Sequence, residues 1–261
     1  MCVLFFALGV HPGYALVLAG NRDEAHARPT APLALWPDAP EVAAGRDLEA
    51  GGTWLGVTRT GRWATVTNVR DPGSVRPDAR SRGALVSDFL RGTDSPETYA
   101  QRVQAERGVY NGFNLLVGQG AEAWLASTRR TAAEPLAPGI YGLSNDTLDT
   151  PWPKLVRGRD AFAEALRADD LVPSDLLPFL HDETLAADAS LPDTGVGVEL
   201  ERVLSPLFIR GARYGTRAST ALMISDAGAG RIAEHTWGPD GVSGLYAELC
   251  LGTVLRAESE T

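Results

Sequence analysis

The second residue of the chain is a cysteine, and this position gives its thiol a particular chemistry. Methionine aminopeptidases remove Met1 when the following residue is small, which would leave Cys2 with a free α-amine. Because a free α-amine has a pKa of about 8, it can accept the thiol proton near neutral pH, and the resulting thiolate is a strong nucleophile. Taken alone, a cysteine at position 2 is more typical of an ordinary residue in a first strand.

Four consecutive polar residues, Asn21-Arg22-Asp23-Glu24, follow directly after an apolar segment. A hairpin between the first two segments would bring Asp23 back beside Cys2, where its carboxylate could hold the α-ammonium group. Arg22 alternatively forms a structural ion pair with Glu24 or Asp23. Asn21 alternatively serves a turn, as asparagine often does after a strand.

The elements that must position these residues are short strands and a few helices. Apolar segments separated by His11-Pro12-Gly13 predict a hairpin in a buried sheet, and a second hairpin follows a Pro-rich connector. Ser95 and Pro96 mark the start of a helix. Strands interrupted by a block of helices indicate an α+β fold rather than regular βαβ alternation. The predicted strands are Met1–Leu8, Tyr14–Gly20, Thr53–Thr58, Arg62–Asn68, Phe113–Gly118, Ala121–Ser127, Gly139–Ser144, Thr220–Ser225 and Arg231–Trp237, and the predicted helices are Ser81–Leu90, Pro96–Arg107 and Trp152–Ala168.

Composition and charge narrow the class of protein. The chain has 261 residues, of which 44% are hydrophobic and 22% charged, as expected for a globular protein with a large core. We expect a single domain over residues 1–255 and a polar tail over 256–261. The net charge of -9 disfavours nucleic acid as a partner. No apolar run approaches the ~18 residues of a membrane span and the start lacks a secretory signal, so we expect a cytoplasmic protein with no integral membrane association.

Neither a disulfide nor a metal site is indicated. The second cysteine, Cys250, lies in an apolar segment and is expected to be a buried hydrophobic residue, and a reducing cytoplasm argues against a disulfide. The four histidines, His11, His26, His181 and His235, are scattered without the spacing of zinc ligands. We therefore predict no metal site and no bound cofactor.

Several short motifs, taken in order along the chain, resemble those of the NRDE family, which is also named for transport and Golgi organisation. The resemblance begins with Asn21-Arg22-Asp23-Glu24 close behind Met1-Cys2 and extends over the whole chain. Together and in this order the motifs are highly specific. The supporting motifs are Gly51-Gly52-Thr53-Trp54-Leu55-Gly56-Val57, Thr67-Asn68-Val69-Arg70, Ser81-Arg82-Gly83, Asn111-Gly112-Phe113-Asn114-Leu115-Leu116-Val117-Gly118, Gly142-Leu143-Ser144-Asn145 and Tyr214-Gly215-Thr216-Arg217.

The resemblance implies an α+β fold, an αββα four-layer sandwich like that of the N-terminal-nucleophile hydrolases. The implied fold is close to that of the branch of choloylglycine hydrolase and penicillin acylase, which cleaves amides by acyl transfer. It implies catalytic roles for Cys2 and for Asp23 near the amine, and a place in the site for Arg217. Asn68 and Asn145 resemble the asparagines that donate to the oxyanion, and losing one such donor costs roughly 3–4 kcal/mol of transition-state stabilisation.

One feature of that branch is missing. The branch has an arginine just before the asparagine that Asn21 resembles, whereas Ala19 and Gly20 stand there in this chain. Arg22 would occupy a different place on an alternating strand, so specificity for bile salts or penicillins does not carry over. Trp54 is assigned to the core or to a pocket wall. The predicted substrate-binding residues are Asn21, Arg22, Glu24, Trp54 and Asn114.

Two functions are compatible with the same predicted cleft. In the first, the Cys2 thiolate attacks an amide or thioester of a small molecule. In the second, the protein is a non-catalytic binding or trafficking protein for a lipid, acyl-CoA or haem-like ligand. The resemblance suggests this alternative because family members have been linked to haem trafficking, and a single His or Cys can serve as an axial ligand. Replacing Cys2 with serine separates the two, because only the first function requires the thiol.

Overall fold

The computed structural model describes residues 2–252, so the predicted polar tail at 256–261 lies outside the described residues. The described strands are Cys2–His11 (β1), Tyr14–Ala25 (β2), Thr30–Trp36 (β3), Ala39–Asp47 (β4), Leu55–Thr58 (β5), Arg62–Asn68 (β6), Phe113–Gln119 (β7), Glu122–Ser127 (β8), Glu134–Pro135 (β9), Gly139–Leu143 (β10), Tyr214–Ser225 (β11), Gly230–Trp237 (β12) and Ser243–Leu251 (β13). The described α-helices are Gly83–Arg91 (α1), Pro96–Ala105 (α2), Pro153–Ala165 (α3) and Val198–Val203 (α4).

The strands form two antiparallel sheets. The first sheet has six strands in the order β10-β1-β2-β11-β12-β13, and the second has seven in the order β3-β4-β5-β6-β7-β8-β9. Chain neighbours are sheet neighbours throughout the second sheet. In the first sheet, by contrast, the hairpin of β1 and β2 is flanked by β10 and β11, which come much later in the chain. β1 and β2 are therefore inner strands of this sheet.

The two sheets pack face to face around a shared apolar core. Leu4, Phe6 and Leu18 of the first sheet belong to one buried cluster with Leu55 and Leu116 of the second sheet. Burial of each large apolar side chain stabilises the fold by about 1.5–3 kcal/mol. Because Cys2 belongs to the same cluster, its position is fixed by the main core of the protein.

Helices cover the outer faces of both sheets. Val3 and Phe5, which alternate with the residues of the central core, pack in a second cluster with Phe162 of α3. Gly158 lets α3 approach closely, since a Cβ there would lie 2.2 Å from the Phe5 ring. The helices α1 and α2 cover the second sheet through a third cluster that includes Phe89. The layers follow the order helix, sheet, sheet, helix, which is the αββα arrangement that the sequence predicts.

Both predicted hairpins and the predicted helix start are present. β1 pairs with β2, and β5 pairs with β6, each in antiparallel register. The Ser95 hydroxyl accepts a hydrogen bond from the Thr98 amide at 3.1 Å, so Ser95 caps α2 as expected. Within residues 2–252, no helix has the length and apolar character needed to cross a membrane.

The sequence misjudged several stretches of strand: Ser243–Leu251 (β13) was not predicted, and β11 begins at Tyr214 rather than at Thr220. β2 continues to Ala25, so the motif Asn21-Arg22-Asp23-Glu24 lies within a strand rather than after one. The predicted Pro-rich connector contains β3 and β4, and this prediction was wrong. Pro32 is compatible with β3 because β3 is an edge strand, where a missing backbone N–H leaves no ladder bond unmade.

Cys250 is exposed, which contradicts the prediction of a buried residue. It lies on β13, the edge strand of the first sheet, whose residues alternate between two faces. Leu249 and Leu251 turn towards the core between the sheets, so Cys250 between them turns outwards. The apolar neighbours of Cys250 in sequence therefore indicated the burial of the opposite face.

Candidate active site

A polar cavity of about 390 Å³ lies at the first residue of β1. Cys2 lines this cavity, although only 6% of the residue is exposed. Burial raises the pKa of the Cys2 thiol. We call this space the Cys2 cavity. Its other wall residues include Arg22, Asp23, Glu24, Arg28, Asp47, Glu49, Thr53, Trp54, Asn68, Arg80, Ser81, Arg82 and Asn111.

The pairing of β1 with β2 decides which polar side chains meet the thiol. Cys2 pairs with Arg22, and Val3 pairs with Asn21. Because directly paired residues point to the same face of a sheet, Cys2 and Arg22 both face the space between the sheets. Asn21 shares the face of Val3, which packs against α3.

Asn21 accordingly does not line the Cys2 cavity. Its amide donates to the carbonyls of Leu180 and Leu207 at 2.8 and 2.9 Å, and its carbonyl oxygen accepts from the Ser219 hydroxyl at 2.7 Å. The residue is completely buried. These bonds join β2 to β11 and to two segments outside the sheet, so the contacts of Asn21 are those of a structural residue.

Asp23 lines the Cys2 cavity and is almost completely buried. The Thr216 hydroxyl donates to Asp23 Oδ1 at 2.8 Å, and the Ile209 amide donates to the Thr216 hydroxyl at 2.9 Å. Burial raises the pKa of Asp23, while the positive charges of Lys154 and other nearby groups oppose this shift. The hairpin thus brings Asp23 and Cys2 to one cavity, as the sequence predicts.

A buried lysine that the sequence motifs did not predict lies close enough to Asp23 for their charges to interact. Lys154, in the first turn of α3, donates from Nζ to the Leu204 carbonyl at 3.0 Å. Burial lowers the pKa of Lys154 to about 8, and the negative charge of Asp23 opposes the shift. The composition contains a signal for this residue, since Lys154 is the only lysine in a chain that otherwise uses arginine.

A buried ion pair between Arg70 and Glu201 lies near the buried charges of Asp23 and Lys154. The Arg70 guanidinium bonds to the Glu201 carboxylate, and it lies over the Trp152 ring at 5.0 Å from the centroid. Glu201 also accepts from the Thr194 amide at 2.9 Å. Removing one partner of a buried pair leaves an uncompensated charge, which typically costs about 3–5 kcal/mol. The pair therefore holds α4 against the segment that follows Asn68.

The two asparagines predicted to stabilise an oxyanion differ in their position relative to the cavity. Asn68 lines the Cys2 cavity, and its side-chain amide makes no hydrogen bond to residues 2–252. Asn145 is completely buried, and its amide donates to the backbone carbonyl of Asn68 at 3.0 Å. The Asn145 carbonyl oxygen accepts from the Ser144 hydroxyl at 3.1 Å. Asn68 is therefore the residue of the two that faces the cavity.

Asn114 lies outside the walls of the cavity. Its amide donates to the Thr67 hydroxyl at 3.2 Å and to the Asp146 carbonyl at 2.7 Å, and its carbonyl oxygen accepts from the Ser127 hydroxyl. These bonds connect β6, β7 and β8 to the loop after β10. Asn114 was predicted to bind substrate, but it does not contact the Cys2 cavity.

A second cavity, of about 340 Å³, adjoins the Cys2 cavity. Arg22, Asp47, Thr53 and Trp54 belong to the walls of both. Two of the predicted substrate-binding residues, Arg22 and Trp54, thus stand at the boundary. Most of the accessible wall of the second space is apolar, and we call it the apolar cavity. Its other wall residues include Pro32, Gly45, Arg217, Glu234, Trp237 and Leu245.

Arg22 is held at this boundary by polar contacts. Its guanidinium lies 3.7 Å from the Glu24 carboxylate and donates to the Thr30 hydroxyl at 3.4 Å. Glu24 also accepts from the Ala25 amide at 2.9 Å. The alternative in which Arg22 pairs with Glu24 is therefore confirmed.

Arg217 lines the apolar cavity rather than the Cys2 cavity. Its guanidinium donates to the backbone carbonyls of Ala25, His26 and Arg28 at 2.9, 3.2 and 3.1 Å. These three bonds fix the turn after β2. Arg217 thus stabilises the segment that carries Glu24, at a distance from the thiol.

Arg82 is a wall residue that the sequence motifs contained without indicating its role. It donates to the Gly112 carbonyl at 3.0 Å and precedes α1. Gly52 allows this placement, because a Cβ at Gly52 would lie 2.4 Å from the carbonyl carbon of Gly83. The Gly51-Gly52 and Ser81-Arg82-Gly83 motifs therefore belong to one close backbone contact.

Comparison with known families assigns the chain to a protein family. The model of the family described as Transport and Golgi organisation 2 matches residues 1–239. The chain belongs to this family. The mouse homolog named Transport and Golgi organization 2 is 36% identical over 249 residues, which cover 87% of this chain and 90% of the relative. The human homolog is 34% identical over the same shares, and the Drosophila melanogaster protein is 28% identical over 90% of this chain and 92% of its own.

Two solved structures have a fold similar to that of this Transport and Golgi organisation 2 family member. A mutant conjugated bile acid hydrolase from Clostridium perfringens superposes with a TM-score of 0.53 over 95% of this chain and 92% of that chain, at 8% identity. The Caenorhabditis elegans ortholog of N-acylethanolamine-hydrolyzing acid amidase gives 0.50 over 85% and 92%, at 10% identity. At these identities the likeness concerns the fold alone, and it confirms the αββα sandwich of the N-terminal-nucleophile hydrolases.

Proposed function

We propose that this protein is a hydrolase in which the Cys2 thiol attacks the carbonyl carbon of an amide or thioester. The observation that supports this most directly is the cavity shared by Cys2, Asp23 and Asn68. A thiol, a carboxylate that can hold an amine and an amide that can donate to an oxyanion are the groups that acyl transfer by an N-terminal nucleophile needs.

The proposed reaction begins after removal of Met1. The α-amine of Cys2 takes the thiol proton, and the thiolate adds to the carbonyl carbon. When the tetrahedral intermediate collapses, the C–N or C–S bond breaks, the α-ammonium gives its proton to the leaving group, and the acyl group remains on sulfur. Water then gives a proton to the α-amine and attacks this thioester, which releases the carboxylic acid and restores the thiol.

Asp23 acts on the α-amine in this proposal. A carboxylate next to an ammonium group favours the charged form, so Asp23 makes the amine a better acceptor for the thiol proton. Burial raises the pKa of the Cys2 thiol and the negative charge of Asp23 adds to this shift, so in this proposal the positive charge that forms on the α-amine is what favours the thiolate. Thr216 fixes the direction of the carboxylate by its hydrogen bond to Oδ1.

Turnover by matched cysteine variants tests the proposal. A panel of acyl amides and thioesters is offered to the wild type, to Cys2→Ala and to Cys250→Ala, which removes the exposed thiol as a control. We expect Cys2→Ala to abolish hydrolysis and Cys250→Ala to preserve it. Intact mass of protein from its own host checks the required removal of Met1. Retained Met1, or equal turnover by wild type and Cys2→Ala, contradicts the proposal.

A non-catalytic carrier is the second candidate, and one observation favours it. Because burial raises the pKa of the Cys2 thiol, the protonated and less nucleophilic form is favoured at neutral pH. Such a carrier would hold a lipid, acyl-CoA or haem-like ligand in the same cavities. In that case Cys2→Ser would leave ligand affinity nearly unchanged, and no member of the substrate panel would be turned over.

A further inference from the structure

We propose that the substrate is an acyl conjugate whose leaving group carries an anion, with the anion bound by Arg82 and the acyl chain in the apolar cavity. This inference rests on the proposed hydrolysis at Cys2. It adds the chemical class of both halves of the substrate and the direction in which the substrate lies.

The arrangement of the cavities sets the direction. Cys2 lines only the Cys2 cavity and not the apolar cavity, whereas Arg22, Thr53 and Trp54 line both cavities. Because Cys2 pairs directly with Arg22, a carbonyl within reach of the thiol lies close to the junction, and the two halves of the substrate extend into different spaces. Each cavity has a volume in the range of about 300–1,000 Å³ that small-molecule sites occupy.

The apolar cavity suits the acyl half. Trp54, Trp237 and Leu245 contribute to its wall. Glu234 also lines it, but both carboxyl oxygens already accept hydrogen bonds, from the Leu33 amide at 2.8 Å and the Thr220 hydroxyl at 3.2 Å. Burial raises the pKa of Glu234, which favours its neutral form. Arg217, also in the wall, directs its guanidinium to three backbone carbonyls, and Arg22 pairs with Glu24, so these charged groups have polar partners while an alkyl chain loses water against the apolar part of the wall.

The charges that line the Cys2 cavity are mostly paired with one another. Arg28 lies 2.7 Å from Asp47 and 3.1 Å from Glu49, and Arg22 pairs with Glu24. In these contacts two guanidinium groups face three carboxylates, so neither guanidinium has charge left for a ligand anion. Another wall arginine, Arg80, lies 3.5 Å from Asp88, and both side chains are more than half exposed.

Arg82 is the exception among these arginines. Within residues 2–252, no carboxylate lies within ion-pair distance of its guanidinium, which donates to the neutral Gly112 carbonyl. The residue is partly buried at the cavity wall. A guanidinium has five N–H donors in a planar fork that fits a carboxylate, sulfonate or phosphate. Arg82 is therefore the group in the Cys2 cavity that a ligand anion would pair with.

Affinity for a matched pair of ligands tests the inference without turnover. Decanoylglycine carries a carboxylate and decanoylglycinamide does not, and calorimetry on Cys2→Ala protein measures both. We expect the anionic ligand to bind about 10- to 100-fold more tightly. Adding Arg82→Gln should remove this preference and leave affinity for decanoylglycinamide within about twofold, while Arg82→Lys should keep part of the preference.

Arg91→Gln is the matched control for charge, because Arg91 lies on α1 outside both cavities and pairs with Asp38. It should keep the full preference for the anionic ligand. Equal affinities for the two ligands in Cys2→Ala protein, or a preference that survives Arg82→Gln, would overturn the inference. Circular dichroism of Arg82→Gln checks its fold, and the comparison of the two ligands in Cys2→Ala protein does not depend on that variant. Absence of turnover in the wild type with a clear binding preference would instead refute the proposed hydrolysis alone.

Discussion

The side-chain amide of Asn145 donates to the backbone carbonyl of Asn68 at 3.0 Å, so the two asparagines lie one behind the other. Only Asn68 lines the Cys2 cavity. Their similar places in the family motifs therefore correspond to different tasks. Asn68 can contact a reacting carbonyl, and Asn145 acts by fixing the backbone on which Asn68 stands.

Kinetics of Asn68→Ala and Asn145→Ala should separate these tasks. We expect Asn68→Ala to lower kcat by about 10²–10³-fold with little change in KM, as loss of an oxyanion donor does. Asn145→Ala should lower the free energy of unfolding by about 1–3 kcal/mol because it leaves buried polar groups unpaired. Urea unfolding measures that change. A larger loss of kcat in Asn145→Ala than in Asn68→Ala would assign the donor to Asn145 instead.

Lys154→Met should change how stability depends on pH. Burial lowers the pKa of Lys154 to about 8 in the folded state, against about 10.4 in an unfolded chain. Between these values the unfolded state binds more protons, so the contribution of Lys154 to stability rises with pH. Relative to Lys154→Met, the wild type should gain up to about 3 kcal/mol of unfolding free energy across this window.

Urea unfolding at several pH values between about 8 and 10.4 measures the gain. Arg167→Gln is the control, since Arg167 is highly exposed in an ion pair with Glu164. Its difference from the wild type should stay constant over the same window. A constant difference for Lys154→Met as well would show that the lysine has an ordinary pKa.

Asn21→Ala should affect stability rather than ligand binding. The change removes a fully buried side chain that bonds to two carbonyls and one hydroxyl. We expect a loss of about 3 kcal/mol in unfolding free energy, because these groups stay buried without partners. Folded protein should bind ligands with less than about twofold change in affinity. A large loss of affinity at unchanged stability would restore the substrate-binding role predicted from the sequence.

Leu245→Glu should weaken the binding of long acyl chains. Leu245 lines the apolar cavity and is 64% exposed, so the substitution should cost little stability. Affinity of the wild type should rise with chain length, by up to about 0.8 kcal/mol for each buried methylene. The variant should show a smaller rise. An unchanged dependence on chain length would place the acyl chain elsewhere.

The sequence predicted the hairpins because apolar segments and glycine-containing turns are local signals, whereas the αββα layers were predicted from the resemblance to a known family. The pairing of β1 with β2, which sets Cys2 opposite Arg22, also brings the neighbouring Asp23 to the cavity of Cys2. β3 and β4 were missed because Pro32 is unfavourable in most strands and is tolerated here at a sheet edge. That property depends on which strand lies outermost, which local sequence does not specify.

The site was predicted less completely than the fold. Asn21 and Asn114 follow strand and turn patterns that are shared by structural and functional asparagines, and only their buried partners distinguish the two. Lys154 lies in the first turn of a helix, where a lysine is usually solvated. Its side chain bonds to the carbonyl of Leu204, which is 50 residues away in the sequence, and local sequence does not specify such a contact.

Because Lys154 is buried, amine-selective reagents should react in the native protein mainly with the amine of the chain terminus. Because it is the sole lysine and is almost fully covered, its ε-amine is shielded from acylating dyes. The remaining primary amine is that of the chain terminus. Brief labelling of folded protein followed by peptide mapping would therefore report on the terminal residue with almost no background from side chains.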